Sequence, residues 1–125
     1  MISVDSSTLI DWLKGVESPQ TSALERAMDD NDLYLPPPVE AELLSFPGDH
    51  SGLAALLDDL PRLVVSDGFW ARAGATRRQI LQHKLKARFA DALIAQLCLD
   101  HDATLISTDS DFRHYATHCG LKLAV

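Results

Sequence analysis

The sequence lacks three features that would place it in a specialised class of protein. Its 125 residues include only two cysteines, which are too few for a disulfide framework and lack the partner spacing of a metal site. No apolar run approaches the roughly 20 residues that span a bilayer, and no basic stretch precedes an apolar segment near Met1. We therefore expect one compact domain, residues 1–125, in the cytoplasm and away from membranes.

Basic residues are also scarce, with 11 against 18 acidic ones and a net charge of −7. This balance argues against a general nucleic-acid binder, which should be basic. The distribution is uneven, however, because no acidic residue lies between Asp67 and Asp91. The basic residues of this interval could attract phosphates, or could equally form a solvated helix face. They are Arg72, Arg77, Arg78, Lys84, Lys86 and Arg88.

Strand-like and helix-like segments alternate along the chain. Apolar residues at helical spacing predict helices, one of them over Val39 to Phe46 and another over Asp91 to Leu99. This alternation predicts an α/β fold in which helices cover both faces of a parallel sheet. Short apolar segments predict the strands, at residues 2–5, 33–35, 63–65, 104–107 and 121–125.

Two aspartates follow predicted strands. Asp5 ends the first strand, and Asp109 lies just past the strand at residues 104–107. Ligands of open parallel sheets bind in the crevice outside the carboxyl ends of the strands, so both side chains are candidates for a site. Each could instead be a helix cap or a turn residue, which aspartate also favours.

Two further carboxylates lie on predicted helices. At 100° per residue, Glu42 falls on the apolar face with Leu43 and Phe46, whereas Glu40 falls off that face. On the later helix, Asp91 points away from Gln96 and Asp100, which we take as the solvated side. Asp91 also heads its helix, where a carboxylate can simply act as a cap.

Several carboxylates directed at one place require a counter-charge. A buried, unpaired carboxylate is costly, and neighbouring ones repel one another. A bound divalent cation resolves both problems, and ligands made only of oxygen suit Mg²⁺ or Mn²⁺ better than Zn²⁺. Such a cation supports cleavage of phosphodiesters by water, with no protein nucleophile.

Four segments, taken in order, resemble the motifs of PIN-domain nucleases of the VapC-like toxin type. Asp5 is followed by two serines, Glu42 lies in Val-Glu-Ala-Glu-Leu-Leu, and Asp91 lies in Ala-Asp-Ala-Leu-Ile-Ala. Asp109 lies in Leu-Ile-Ser-Thr-Asp-Ser-Asp-Phe, where Asp111 resembles a further acid of many members. The triple proline before Glu42 is a departure from the family pattern and leaves the path into that helix uncertain.

The resemblance implies a three-layer α/β/α sandwich around a parallel sheet of four or five strands. It implies an endoribonuclease toxin that cuts single-stranded or looped RNA, depends on Mg²⁺ or Mn²⁺, is neutralised by a small antitoxin and forms a homodimer. Asp5, Asp91 and Asp109 would hold the metal, Glu42 would orient a water or a second metal, and Ser7 would position a metal-bound water.

Two other functions remain open at this point. The first is a phosphoacceptor domain, which also uses strand-end acids with Mg²⁺. A phosphatase of the haloacid dehalogenase type, however, has a second aspartate two residues after the first, and this chain has Ser7 there. A receiver domain has its phosphate-accepting aspartate at the end of a central strand, whereas Asp58 and Asp59 fall in a predicted leucine-rich helix. The second alternative is a catalytically silent PIN-like binding module in which the acids merely cap helices.

Overall fold

The computed structural model describes all residues from Met1 to Val125. The chain forms four strands and seven helices, and between one and four helices separate each strand from the next. Their bounds are β1 Ile2–Val4, α1 Ser6–Leu13, α2 Pro19–Asp29, β2 Leu33–Tyr34, α3 Pro37–Leu44, α4 Ser51–Asp58, α5 Phe69–Gln82, α6 Phe89–His101, β3 Thr104–Ile106, α7 Phe112–Cys119 and β4 Lys122–Ala124.

The four strands form one parallel sheet in the order β2-β1-β3-β4. Ile2 of β1 pairs with Leu33 on one side and with Thr104 on the other. Thr104 pairs in turn with Lys122 of β4. The predicted parallel α/β fold is confirmed, and β1 occupies an inner position of the sheet.

The connections place helices on both faces of the sheet. The chain moves outward from β1 to β2 through α1 and α2, then returns across β1 to β3 through α3 to α6. Parallel crossovers are right-handed, so connections running in opposite directions cover opposite faces. The helix α2 packs against β2 and β3, whereas α6 and α7 pack against β3, β4 and each other. This is the predicted α/β/α layering, with the core between the layers.

Local residue choices explain where the helices begin. Ser18 Oγ accepts a hydrogen bond from the backbone nitrogen of Thr21, and the backbone nitrogen of Ser18 donates one to Thr21 Oγ1. This pair is a capping box, and Pro19 occupies the first turn of α2. The triple proline sets the start of α3 in another way. Pro36 has extended backbone angles, and Pro37 is the first helical residue, a position that proline tolerates. The prolines therefore lead into the helix that carries Glu42, which begins at Pro37, two residues before the predicted start at Val39.

Two expectations are wrong for reasons of tertiary packing. Residues 63–65 do not form a strand; a single bridge joins Leu35 to Arg62, and Val64 and Val65 are exposed. The two-residue strand β2 offers too short an edge for a fifth strand to pair with. Gln96 is buried, not solvated, because α5 covers that side of α6 and Thr76 donates a hydrogen bond to its side chain.

The helices are short relative to a membrane. None combines the length and hydropathy that a bilayer span requires.

Candidate metal centre

A cavity of about 200 Å³ opens next to the carboxyl ends of β1 and β3. It brings together all four of the acids predicted from the sequence, Asp5, Glu42, Asp91 and Asp109. The other residues that line it are hydroxylated, apolar or basic. They are Ser6, Ser7, Ile10, Phe46, Arg88 and Ile94.

Asp5 is buried and held by three hydrogen bonds. Its Oδ1 accepts from the backbone nitrogen of Thr8 at 3.0 Å, so the carboxylate caps α1. Its Oδ2 accepts from Ser7 Oγ at 2.8 Å and from Ser107 Oγ at 2.6 Å. Capping and participation in the cavity are thus compatible here, because one oxygen caps the helix and the other is oriented by hydroxyl groups.

The loop after β3 supplies two more carboxylates. The backbone nitrogen of Asp109 donates to Ser107 Oγ, and Asp109 Oδ1 accepts from the backbone nitrogen of Asp111, both at 2.9 Å. One oxygen each from Asp91, Asp109 and Asp111 lie within 4.8 Å of one another. The closest group of possible cation ligands therefore includes Asp111, which the sequence indicated only as an additional residue.

Asp91 has the least satisfied carboxylate of the cavity. Its Oδ2 is buried without any hydrogen-bond partner. Burial and then the charge of Asp109 raise the pKa of Asp91 to about 6; Glu42 and Asp5 add to the rise and Arg88 opposes it. A buried acceptor among like charges is what a divalent cation would satisfy, and the donor set, carboxylate oxygens throughout, suits Mg²⁺ or Mn²⁺. The residues present therefore fit such a cation.

Glu42 is half-buried on the side of α3 that faces the cavity. Its Oε1 accepts a hydrogen bond from Ser6 Oγ at 2.9 Å. Glu40 is directed elsewhere and receives two hydrogen bonds of 3.1 Å from the guanidinium of Arg62. The structure therefore gives the two glutamates of this helix different surroundings, as the helical angles predict.

The six basic residues singled out in the sequence do not share one place. Arg88 lines the cavity, and Lys86 Nζ lies 4.0 Å from Asp111 Oδ2. Arg77 donates to the carbonyl of Ala87, while Arg78 and Lys84 are exposed. Arg72 forms an ion pair of 2.7 Å with Asp100, nine residues and roughly 13 Å along α6 from Asp91. Arg72 is thus remote from the acids and already neutralised.

Sequence reasoning missed the hydroxyl groups that orient the acids. Ser6 contacts Glu42, and Ser107 links Asp5 to the backbone of Asp109. Ser7 was predicted to act on a metal-bound water, but its Oγ contacts Asp5 directly and lies 3.2 Å from Thr108 Oγ1. A usable signal was present, because pairs of small hydroxylated residues adjoin both strand-end aspartates.

The comparison with known families decides the classification. The PIN domain family model matches residues 2–117. The chain belongs to the PIN domain family. The resemblance seen in four short motifs is therefore confirmed at the level of the whole chain.

Relatives of similar sequence agree with this assignment, and two solved structures share the fold. Ribonuclease VapC11 of Mycobacterium tuberculosis is 28% identical, over 99% of this chain and 98% of its own. A VapC ribonuclease of Mycobacterium bovis matches equally well. The structure of VapBC2 from Rickettsia felis bound to a promoter DNA fragment aligns with a TM-score of 0.77 and 21% identity, over 99% of this chain and 98% of that one. FitAcB from Neisseria gonorrhoeae aligns with a TM-score of 0.74 and 17% identity, over 100% of this chain and 97% of that one. At these identities the two structures support the fold.

Proposed function

We propose that this protein is an endoribonuclease toxin that depends on Mg²⁺ or Mn²⁺ and is neutralised by a small antitoxin. The observation that carries the proposal is the meeting of Asp5, Glu42, Asp91 and Asp109 in one cavity, with a buried oxygen of Asp91 left without a partner. The similarity of the chain to VapC ribonucleases supports the same activity.

The carboxylates divide into ligands and orienting groups. Asp91, Asp109 and Asp111 offer the oxygens that lie closest together, and Asp5 adds a carboxylate whose position Ser7 and Ser107 fix. A bound divalent cation lowers the pKa of a water and neutralises charge on a phosphoryl group. Glu42, held by Ser6, orients a water at the side of the cavity formed by α3. Arg88 supplies the positive charge that attracts an RNA phosphate.

Digestion of total cellular RNA tests the proposal directly. Purified protein with Mn²⁺ is expected to cut RNA at a small number of mapped sites, and chelation with EDTA is expected to stop it. Asp109→Asn should abolish cleavage, whereas Asp102→Asn, which changes an exposed aspartate paired with Lys122, should not. Equal cleavage by wild type and Asp109→Asn would instead favour the silent binding module, with a contaminating nuclease as the source of activity.

A partner and a second copy complete the proposal. The resemblance to VapC-like toxins, together with the structural likeness to VapBC2 and FitAcB, supports a small antitoxin, which we expect to cover the acidic cavity. We also expect a homodimer, for which Trp12 and the first helices are candidate surfaces; Leu13 and Val16 are exposed beside Trp12. Light scattering at several concentrations would measure the mass of the particle. The cytoplasmic location stays a prediction.

A further inference from the structure

Phe46 is the only aromatic residue among those that line the acidic cavity. The sequence placed it on the buried face of a helix, and that expectation is wrong, because its exposed fraction is 53%. The helix α3 ends at Leu44, so Phe46 no longer follows the stripe that Val39 and Leu43 bury. The ring is therefore at the cavity and outside the core.

The loop that carries Phe46 is held by polar contacts and not by the ring. Ser45 Oγ donates a hydrogen bond of 2.6 Å to the carbonyl of Glu42. The carbonyl of Phe46 is hydrogen-bonded to the ring of His50, and Pro47 restricts the backbone that follows. Since the backbone contacts do not involve the phenyl group, its removal should leave the loop and the fold in place.

The groups around the ring are charged or hydroxylated to a large extent. Arg88 is the only basic residue that lines the cavity, and its side chain makes no hydrogen bond or ion pair within the protein. Carboxylates and the hydroxyl groups of Ser6 and Ser7 form the remainder of the polar wall. An aromatic face beside an arginine matches the two parts of a nucleotide, because the ring can stack on a base while the guanidinium binds a phosphate.

We propose that Phe46 stacks on the base of a nucleotide adjacent to the scissile phosphate while Arg88 binds a phosphate oxygen. The proposal rests on the nuclease function proposed above and requires this nucleotide to be unpaired, because only an unstacked base can offer its face to the ring. Stacking on phenylalanine tolerates every base, so this contact contributes affinity and not base identity.

Cleavage kinetics of a short single-stranded oligoribonucleotide with one mapped site test the contact. Phe46→Ala is expected to raise KM roughly tenfold with kcat within about twofold, since stacking acts on ground state and transition state alike. Phe46→Trp should restore KM. Phe89→Ala is the matched control, because Phe89 is 62% exposed at the start of α6 but does not line the cavity.

Oligonucleotides that lack one base locate the stack. With wild-type protein, an abasic nucleotide beside the cleavage site should raise KM as much as Phe46→Ala does, and with the variant it should have no further effect. Independent, additive effects would overturn the proposal. So would a Phe46→Ala protein whose KM equals that of the Phe89→Ala control.

Failure of the nuclease function can be told apart from failure of the stack. If wild-type protein leaves all RNA intact, the nuclease proposal is wrong. The stacking contact of Phe46 is then tested by measuring RNA affinity alone. Fluorescence anisotropy with a labelled ten-residue oligouridylate and Mn²⁺ should then show roughly tenfold weaker binding for Phe46→Ala. Equal affinities for the two proteins would overturn the stacking proposal.

Discussion

Ser107 Oγ donates a hydrogen bond of 2.6 Å to Oδ2 of Asp5, across 102 positions of sequence. Ser107 Oγ also accepts a hydrogen bond of 2.9 Å from the backbone nitrogen of Asp109. One hydroxyl group thus fixes the relative positions of two strand-end aspartates that belong to neighbouring strands. The geometry of the cavity depends on this residue even though it offers no charge.

Removal of this hydroxyl should weaken the site without unfolding the protein. A hydrogen bond to a charged group contributes about 1.5–3 kcal/mol, so Ser107→Ala is expected to reduce Mn²⁺ affinity roughly tenfold or more by titration calorimetry. Ser110→Ala is the control, since Ser110 is exposed in the same loop and its side chain makes no hydrogen bond. Equal Mn²⁺ affinities for the two variants would show that Ser107 does not orient the acids.

Asp91 should make the metal-free protein less stable as pH rises. Its pKa is about 6 in the folded protein against an ordinary value of 3.8, so between these pH values the unfolded chain loses the proton first. Stability therefore falls across this window and is level above it. Asp91→Asn should stabilise the metal-free protein at pH 7 by about 1–2 kcal/mol, a figure reduced for the partial exposure of the group.

Urea unfolding in EDTA between pH 3 and pH 8 measures this effect as the difference between wild type and variant. The difference should be near zero at pH 3 and reach its full size above pH 6. Asp29→Asn, an exposed aspartate on α2, should show no comparable trend. A variant less stable than wild type at pH 7 would mean that Asp91 is compensated within the protein.

Divalent cations should raise the melting temperature. Binding to the folded state stabilises by about 2.7 kcal/mol at 100 times Kd, which for a chain of this size is on the order of 10 °C. Asp109→Asn and Asp111→Asn should each remove most of the shift with Mn²⁺ or Mg²⁺. Unchanged melting in Mn²⁺ for the wild-type protein would contradict the metal centre and favour a silent module.

The two glutamates of α3 should separate activity from stability. Glu42→Gln is expected to lower kcat by about 10²-fold, because the residue faces the cavity. Glu40→Gln should leave kcat unchanged and cost about 1 kcal/mol of stability, because it breaks a two-fold contact with Arg62. Kinetics and thermal melting of both variants make the comparison, and the reverse assignment of effects would refute the geometry of α3.

Arg88 and Arg72 should differ in their effect on RNA binding. Arg88→Ala is expected to weaken binding and to reduce the slope of log affinity against log salt by about one, as for the loss of one phosphate contact. Arg72→Ala should leave the slope unchanged, because the ion pair with Asp100 already engages that guanidinium far from the acids. Anisotropy titrations at several salt concentrations measure both slopes.

The features that the sequence predicted well follow from short-range geometry. The period of an α-helix directs the side chains of Glu40 and Glu42 to different faces, and this follows from the local sequence without knowledge of the rest of the chain. Strand direction does the same for Asp5 and Asp109, since parallel strands end at a common edge. These rules placed acids near one another but could not rank them as cation ligands.

The features that it predicted poorly depend on distant parts of the chain. Burial of Gln96 results from α5, and exposure of Phe46 results from the early end of α3. The inclusion of Asp111 among the closest carboxylates depends on the path of a loop, which no periodicity encodes. Residues 63–65 have strand-like composition, but a strand also requires an edge to pair with.

The register of β1 with β3, in which Val4 lies opposite Ile106, has a consequence during protein synthesis. Asp5 leaves the ribosome about a hundred residues before the strand and loop that complete its surroundings. A nascent chain therefore lacks the complete set of carboxylates until translation has passed Asp111, and closing so long a separation slows folding as well. Assembly of the cavity thus waits for the loop that follows β3.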